Sequence, residues 1–158
     1  MSTVQKILYA TDLSETAKEG MKWTKDLSAK YEAQITIIHV IPDSVSKELA
    51  SFGADRTTPT IDKQRKDLIA SKKEAILRIC QERQKDHPDC NIDLDHILVK
   101  TGQPVAEILT AVEDGDFDLV VMGIRGKGVI KKLLIGSVAR QVVELCTVPV
   151  LTVRLPAS

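Results

Sequence analysis

The sequence predicts an α/β fold, a five-stranded parallel sheet with helices on both faces, and three observations lead there. Short apolar stretches alternate with helical patterns along the whole chain, the signature of β–α repetition. The stretch Asp118–Met122 (DLVVM) is apolar without a polar alternation, as a strand covered on both faces should be. The length, 158 residues, suits one domain around one sizeable core, with no internal repeat or low-complexity linker to divide it. The expected domain therefore spans residues 1–158.

The elements follow in order. Val4–Ala10 (VQKILYA) is a short strand ending at Thr11-Asp12. Ala17, Met21, Thr24, Leu27 and Tyr31 then recur at helical spacing, and Asp12 followed by Glu15 resembles a capping box. Gln34–Val40 (QITIIHV), rich in β-branched residues, is the second strand. Pro42–Lys63 mixes Ser, Asp, Thr and Pro and reads as a variable surface excursion. A charged helix runs from about Asp62 to Lys85, with Leu68, Ile69, Ile76, Ile79 and Cys80 facing inward. Ile92–Val99 is a weaker third strand, placed at a sheet edge by its alternating Asp residues. Gly102-Gln103-Pro104 introduces a helix whose face is Val105, Ile108, Leu109 and Val112. After the fourth strand, Val138, Val142 and Leu145 mark the last helix, and Val148–Val153 is the fifth strand.

If the chain starts in the middle of the sheet, strands one and four are neighbours where the winding reverses. Ligands of such sheets bind beyond the carboxyl ends of the strands at that switch point. The segments to inspect are Ala10-Thr11-Asp12 and the loop after Met122.

Composition removes several classes of function. Lys plus Arg and Asp plus Glu are 22 each, so the net charge is zero and the basic excess of a nucleic-acid binder is missing. No apolar run approaches the ~20 residues that span a bilayer. The first residues lack the basic start and long apolar core of a signal peptide. Cys80, Cys90 and Cys146 are odd in number and widely spaced, which argues against a disulfide framework or zinc site and for a reducing cytoplasm. His39, His87 and His96 show no metal-ligand spacing, and no nucleophile–base pair emerges, so no catalytic or metal-ligating residue is assigned.

The loop after strand four reads Gly123-Ile124-Arg125-Gly126-Lys127-Gly128, then continues to Gly136-Ser137-Val138 at the start of the last helix. The first N–H groups of a helix have no internal partners, and with the helix dipole they suit phosphate oxygens. Ser137 adds a hydroxyl, and Arg125, Lys127, Lys131 and Lys132 add positive charge. Spacing alone leaves two readings open: a phosphate cradle, or turns and caps beside a solvated basic face. It is neither a Walker A loop, since Lys127 is followed by Gly128, nor the dinucleotide fingerprint, which follows the first strand.

These residues resemble the universal stress protein family, in particular its ATP-binding branch. Gly123, Gly126, Gly136 and Ser137 match that branch's pattern of glycine, two residues, glycine, nine residues, glycine and serine or threonine. Further likeness lies in ILYATDLSETA, HVIPD, TGQPVAEI and VPVLTV, leaving only about Ser44–Asp86 uncovered. The resemblance implies a Rossmann-like, adenine nucleotide alpha hydrolase-like fold. It places Ala10, Thr11 and Asp12 beside ribose and adenine, Val40 against adenine through its backbone, and Met122 and Gly123 along the adenosine pocket. Gly126, Gly136, Ser137 and Val138 would cradle the phosphates, with Arg125 nearby. Ile124 departs from the family, which often has a small polar residue there.

The implied ligand is ATP, or ADP or AMP, and the implied role a cytoplasmic regulatory or sensor module in stress response. Two other readings stay open: a slow Mg²⁺-dependent ATPase or autophosphorylating switch using Asp12 and Ser137, and an interaction module with a vestigial pocket. The apolar fifth strand, at an edge, is expected to pair with its copy across a two-fold axis through residues 148–153.

Overall fold

The computed structural model describes residues 3–44, 58–82, 92, 94–124 and 135–154. Five strands, β1 (Lys6–Ala10), β2 (Gln34–Pro42), β3 (Ile97–Gly102), β4 (Leu119–Gly123) and β5 (Val150–Val153), form one sheet. All neighbours are parallel, in the order β3-β2-β1-β4-β5, so the chain starts in the middle and winds outward both ways. Among the described residues, α1 (Glu15–Tyr31), α2 (Thr58–Glu82), α3 (Pro104–Gly115) and α4 (Ser137–Leu145) connect them.

Strand pleating divides the core into two layers. Ile7, Tyr9, Ile35, Ile37, Ile41, Val99 and Val121 meet Met21 of α1 and Ile76 and Cys80 of α2. Leu8, Ala10, Ile38, Val120 and Met122 meet Val105, Ile108 and Val112 of α3 and Ala139 and Val142 of α4. In β4, Val120, Val121 and Met122 are all buried, which is why that strand lacks a polar alternation.

Several details differ from expectation: β1 begins at Lys6, β2 runs on to Pro42 and β5 begins at Val150, and others have a local reason. β3 begins at Ile97, because Leu94–His96 closes a 3₁₀ turn. α2 begins at Thr58 with Pro59 in its first turn, where a missing N–H is harmless, so the excursion after Pro42 is shorter than expected. Residues 45–57 and 83–91 lie outside the described residues. α1 is capped at Ser14 rather than Asp12, since Leu13 has φ 65° and a helix cannot run through it; Ser14 O accepts from Lys18 N at 3.3 Å. The inward face of α4 is Val138, Ala139 and Val142, with Cys146 packed beside them, while Leu145 is 58% exposed.

Gly20, inside α1, has a packing cause. A Cβ built there would lie 2.9 Å from Cε2 of the buried Tyr9 ring, closer than side chains tolerate. Replacing glycine by alanine in a helix interior normally stabilises by about 1 kcal/mol. Here the overpacking should prevail: Gly20→Ala should lower stability by about 1–3 kcal/mol in urea unfolding.

Candidate functional site

β1 is hydrogen-bonded to β2 on one side and β4 on the other until Ala10, which lies opposite both Ile38 and Met122. Beyond Ala10 the neighbours part. Thr11 N donates to Ile38 O at 3.0 Å, carrying the chain toward β2. Ile124 N donates to Val153 O at 2.9 Å, carrying the end of β4 toward β5. The strands part at the carboxyl ends of β1 and β4, the switch point of the winding, where open parallel sheets of this kind bind ligands. Ala10, Thr11 and Asp12 border one side; Met122 and Gly123 border the other. Val40 lies two residues beyond Ile38 on β2, half-buried and packed against the same layer as Ala10 and Met122.

The turn after β1 is tied down by its own side chains. Thr11 Oγ1 accepts from Leu13 N, and Asp12 Oδ1 accepts from Ser14 N, each at 3.0 Å. His39 Nδ1 lies 2.9 Å from Thr11 O; a carbonyl only accepts, so the ring donates through Nδ1. His39 is thus a pocket-edge structural residue, as its place in an apolar strand suggests. Beneath the turn lies the buried Tyr9. Burial pushes its phenol's pKa well above the usual tyrosine value.

On the β4 side, Gly136 N donates to Ile124 O at 2.8 Å, fastening the two ends of the 125–134 loop together. Arg125, Gly126 and the basic residues Lys127, Lys131 and Lys132 fall outside the described residues. Gly136 is the N-cap of α4, buried, with φ −60° and ψ 149°. That conformation is open to any residue, so what glycine supplies here is space. It also brings no capping side chain to the first-turn N–H groups of α4, at Ser137, Val138 and Ala139. Ser137 is exposed and Val138 half-buried at this mouth. The donor set suits a phosphate: uncapped backbone N–H groups, a hydroxyl and the positive end of a helix.

Tyr9 under the turn and the Ile124 carbonyl bonded to Gly136 N are neighbours of the site that sequence reasoning did not single out. A tyrosine in an apolar strand looks like ordinary core, and a backbone carbonyl has no sequence signal. Among the described residues no group of three or more His, Cys, Asp or Glu gathers as a metal site, and no helix is long and apolar enough to cross a membrane.

The Asx turn predicts a split between two substitutions. Asp12→Ala removes the acceptor for Ser14 N and should lower stability by about 1 kcal/mol, whereas Asp12→Asn keeps an acceptor and should change it by less than half as much, read by urea unfolding.

Comparison with known proteins bears on this geometry. A sequence model of the Universal stress protein family matches residues 3–154. Universal stress protein MJ0577 of Methanocaldococcus jannaschii is 29% identical over 154 residues, covering 95% of this chain and 94% of that protein. Its solved structure superposes with TM-score 0.78 at 27% identity, over 99% of this chain and all of that one. A universal stress protein solved in complex with cAMP has TM-score 0.64 at 22% identity, covering 97% and 98% of the two chains. One from Archaeoglobus fulgidus in complex with dAMP has TM-score 0.56 at 17% identity, covering 96% and 99%. The last two likenesses establish the shared Rossmann-like α/β fold.

Proposed function

The chain belongs to the universal stress protein family, and from that footing we propose that it binds an adenine nucleotide, ATP foremost, where β1 and β4 part. The observation that carries this reading is the uncapped N-terminus of α4, with glycine at the cap, at the switch point where the strands part. The complexes of fold relatives with cAMP and dAMP support an adenine ligand. Ala10, Thr11, Asp12 and Val40 would meet the adenosine, with Met122 and Gly123 along the pocket wall. Ser137 and Val138 would donate to the phosphates, joined by Arg125 and Gly126 of the loop. Because the Gly136 N–H already serves Ile124, Gly136 contributes clearance rather than a bond.

Binding is favoured over turnover. Asp12 is the one carboxylate of the assigned set, and its Oδ1 already accepts from Ser14 N. Any Mg²⁺ would arrive with the nucleotide. On this reading the protein is a cytoplasmic regulatory or sensor module whose state is set by nucleotide occupancy.

Calorimetry with ATP and inorganic triphosphate tests the site. ATP should bind measurably and triphosphate much more weakly, since the anion uses only the α4 end. Gly136→Val should abolish ATP binding while leaving the fold intact, because φ −60° and ψ 149° suit valine. Ser137→Ala should lose one hydrogen bond to a charged group, about 1.5–3 kcal/mol at most. Equal affinity of the wild type for ATP and triphosphate would reduce the site to an anion-binding helix end.

We also propose a homodimer through β5. It is an edge strand, with half-buried Val150 and Leu151 along it. Sedimentation should show a dimer that Val150→Lys weakens; a monomer at all concentrations would rule it out.

A further inference from the structure

We propose that Leu13 is a positioning residue: its side chain, seated in the apolar layer under α1 and α2, anchors the turn that carries Thr11 and Asp12. The anchor is a property of the chain alone; only its consequence for ligand choice rests on the adenosine-site reading. Leu13 stands at φ 65°, a conformation that glycine or asparagine enters readily and that leucine enters only under strain. A leucine stays there when contacts outside its own backbone offset that strain.

The turn's hydrogen bonds are local. Leu13 N donates to Thr11 Oγ1 and Ser14 N to Asp12 Oδ1, each at 3.0 Å. Neither uses the Leu13 side chain, and both would form as well around a glycine or an asparagine. The side chain has other partners. It is half-buried and packs against the buried cluster that includes Met21 of α1 and Ile76 and Cys80 of α2. With those three residues it lines a cavity of about 30 Å³ under the turn. That is about the space of one water molecule, so the anchor is seated with a little room to spare. Thr11 and Asp12 thus stand where the strands part, and the next residue is fastened to the layer on which α1 and α2 rest. Apolar burial, rather than hydrogen bonding, is the reason for leucine at this position.

The test uses the whole protein and the variants Leu13→Gly, Leu13→Asn and Leu13→Met. Glycine and asparagine both relieve the strain and remove the anchor, and asparagine does so without glycine's added backbone freedom. Methionine keeps the strain and, with a similar volume, keeps the anchor. Protection of the Ser14 amide, followed by NMR exchange without nucleotide and corrected for the intrinsic rate, should fall about fivefold in Leu13→Gly and Leu13→Asn. It should stay within roughly twofold of wild type in Leu13→Met. In calorimetry, ATP should weaken about fivefold in the first two variants and hold in the third, with triphosphate within roughly twofold throughout. Ser14 protection or ATP affinity that holds or rises in Leu13→Asn would show that strain relief outweighs the anchor, and would overturn the proposal. A loss in Leu13→Met equal to that in Leu13→Asn would overturn it too, as would triphosphate weakening in step with ATP. If the wild type does not prefer ATP over triphosphate, the adenosine reading falls, and Ser14 exchange across the three variants decides the anchor by itself.

Discussion

Two backbone hydrogen bonds, Thr11 N to Ile38 O and Ile124 N to Val153 O, pull adjacent strands apart at the same level of the sheet. Up to Ala10 and Met122, β1 and β4 are partners; beyond them each keeps only its outer neighbour. Parallel strands require long crossovers, and here the crossovers leave in opposite directions from the centre of the sheet. The parting of the strands is therefore a consequence of topology before any particular side chain is considered. Both helices that follow, α1 after β1 and α4 after β4, begin at its rim, and their first turns are its polar furniture.

The two rims are built differently. On the β1 side the turn is held by side-chain acceptors, Thr11 Oγ1 and Asp12 Oδ1, and by His39 donating to Thr11 O. On the β4 side the hold is backbone to backbone, Gly136 N to Ile124 O. Buried polar groups gather under the first rim: Tyr9, Thr24, Lys25 and His39. Thr24 Oγ1 returns a bond to Gly20 O at 2.7 Å, and Lys25 Nζ lies 3.5 Å from Cys80 O in the last turn of α2. Satisfied polar groups in a low-dielectric interior fix geometry more sharply than apolar contacts do. The layer under α3 and α4 is an apolar platform, and the layer under α1 and α2 is where orientation is set.

Most of this architecture was legible because burial on both faces writes long apolar runs into β1, β2 and β4. The winding order followed from strand–helix alternation. What was misread had local causes that apolar patterning cannot carry. The Asp alternation before Ile97 imitated a strand, although Leu94–His96 turns. Asp12 looked like a helix cap because its spacing to Glu15 is right, yet a positive φ at Leu13 intervenes. On α4, Val138 and Val142 face inward as their spacing suggests, but Leu145 is exposed and Ala139 is buried in its place, because a small residue carries little apolar signal. In the candidate site, glycine spacing marks Gly136 for close backbone access, and its own N–H is bonded to Ile124 O. Arg125 and Gly126 remain known from sequence alone.

With 22 acidic and 22 basic residues, the chain has no long-range field to gather polyphosphates, so affinity on the proposed reading must be local. The α4 end supplies it through N–H groups fixed in direction by the helix, which would accept any phosphate of suitable size. Discrimination then falls to the opposite rim, where the backbone is unusual: an Asx turn and a leucine at positive φ within four residues of the strand end. A flexible turn there would let phosphates dominate and erase the preference for a base and ribose. A rigid one makes adenosine contacts available without an ordering penalty at the moment of binding. The strain in the β1 turn and the missing cap of α4 are thus complementary: one rim leaves donors open, and the other is held in place so that only one kind of ligand can use both.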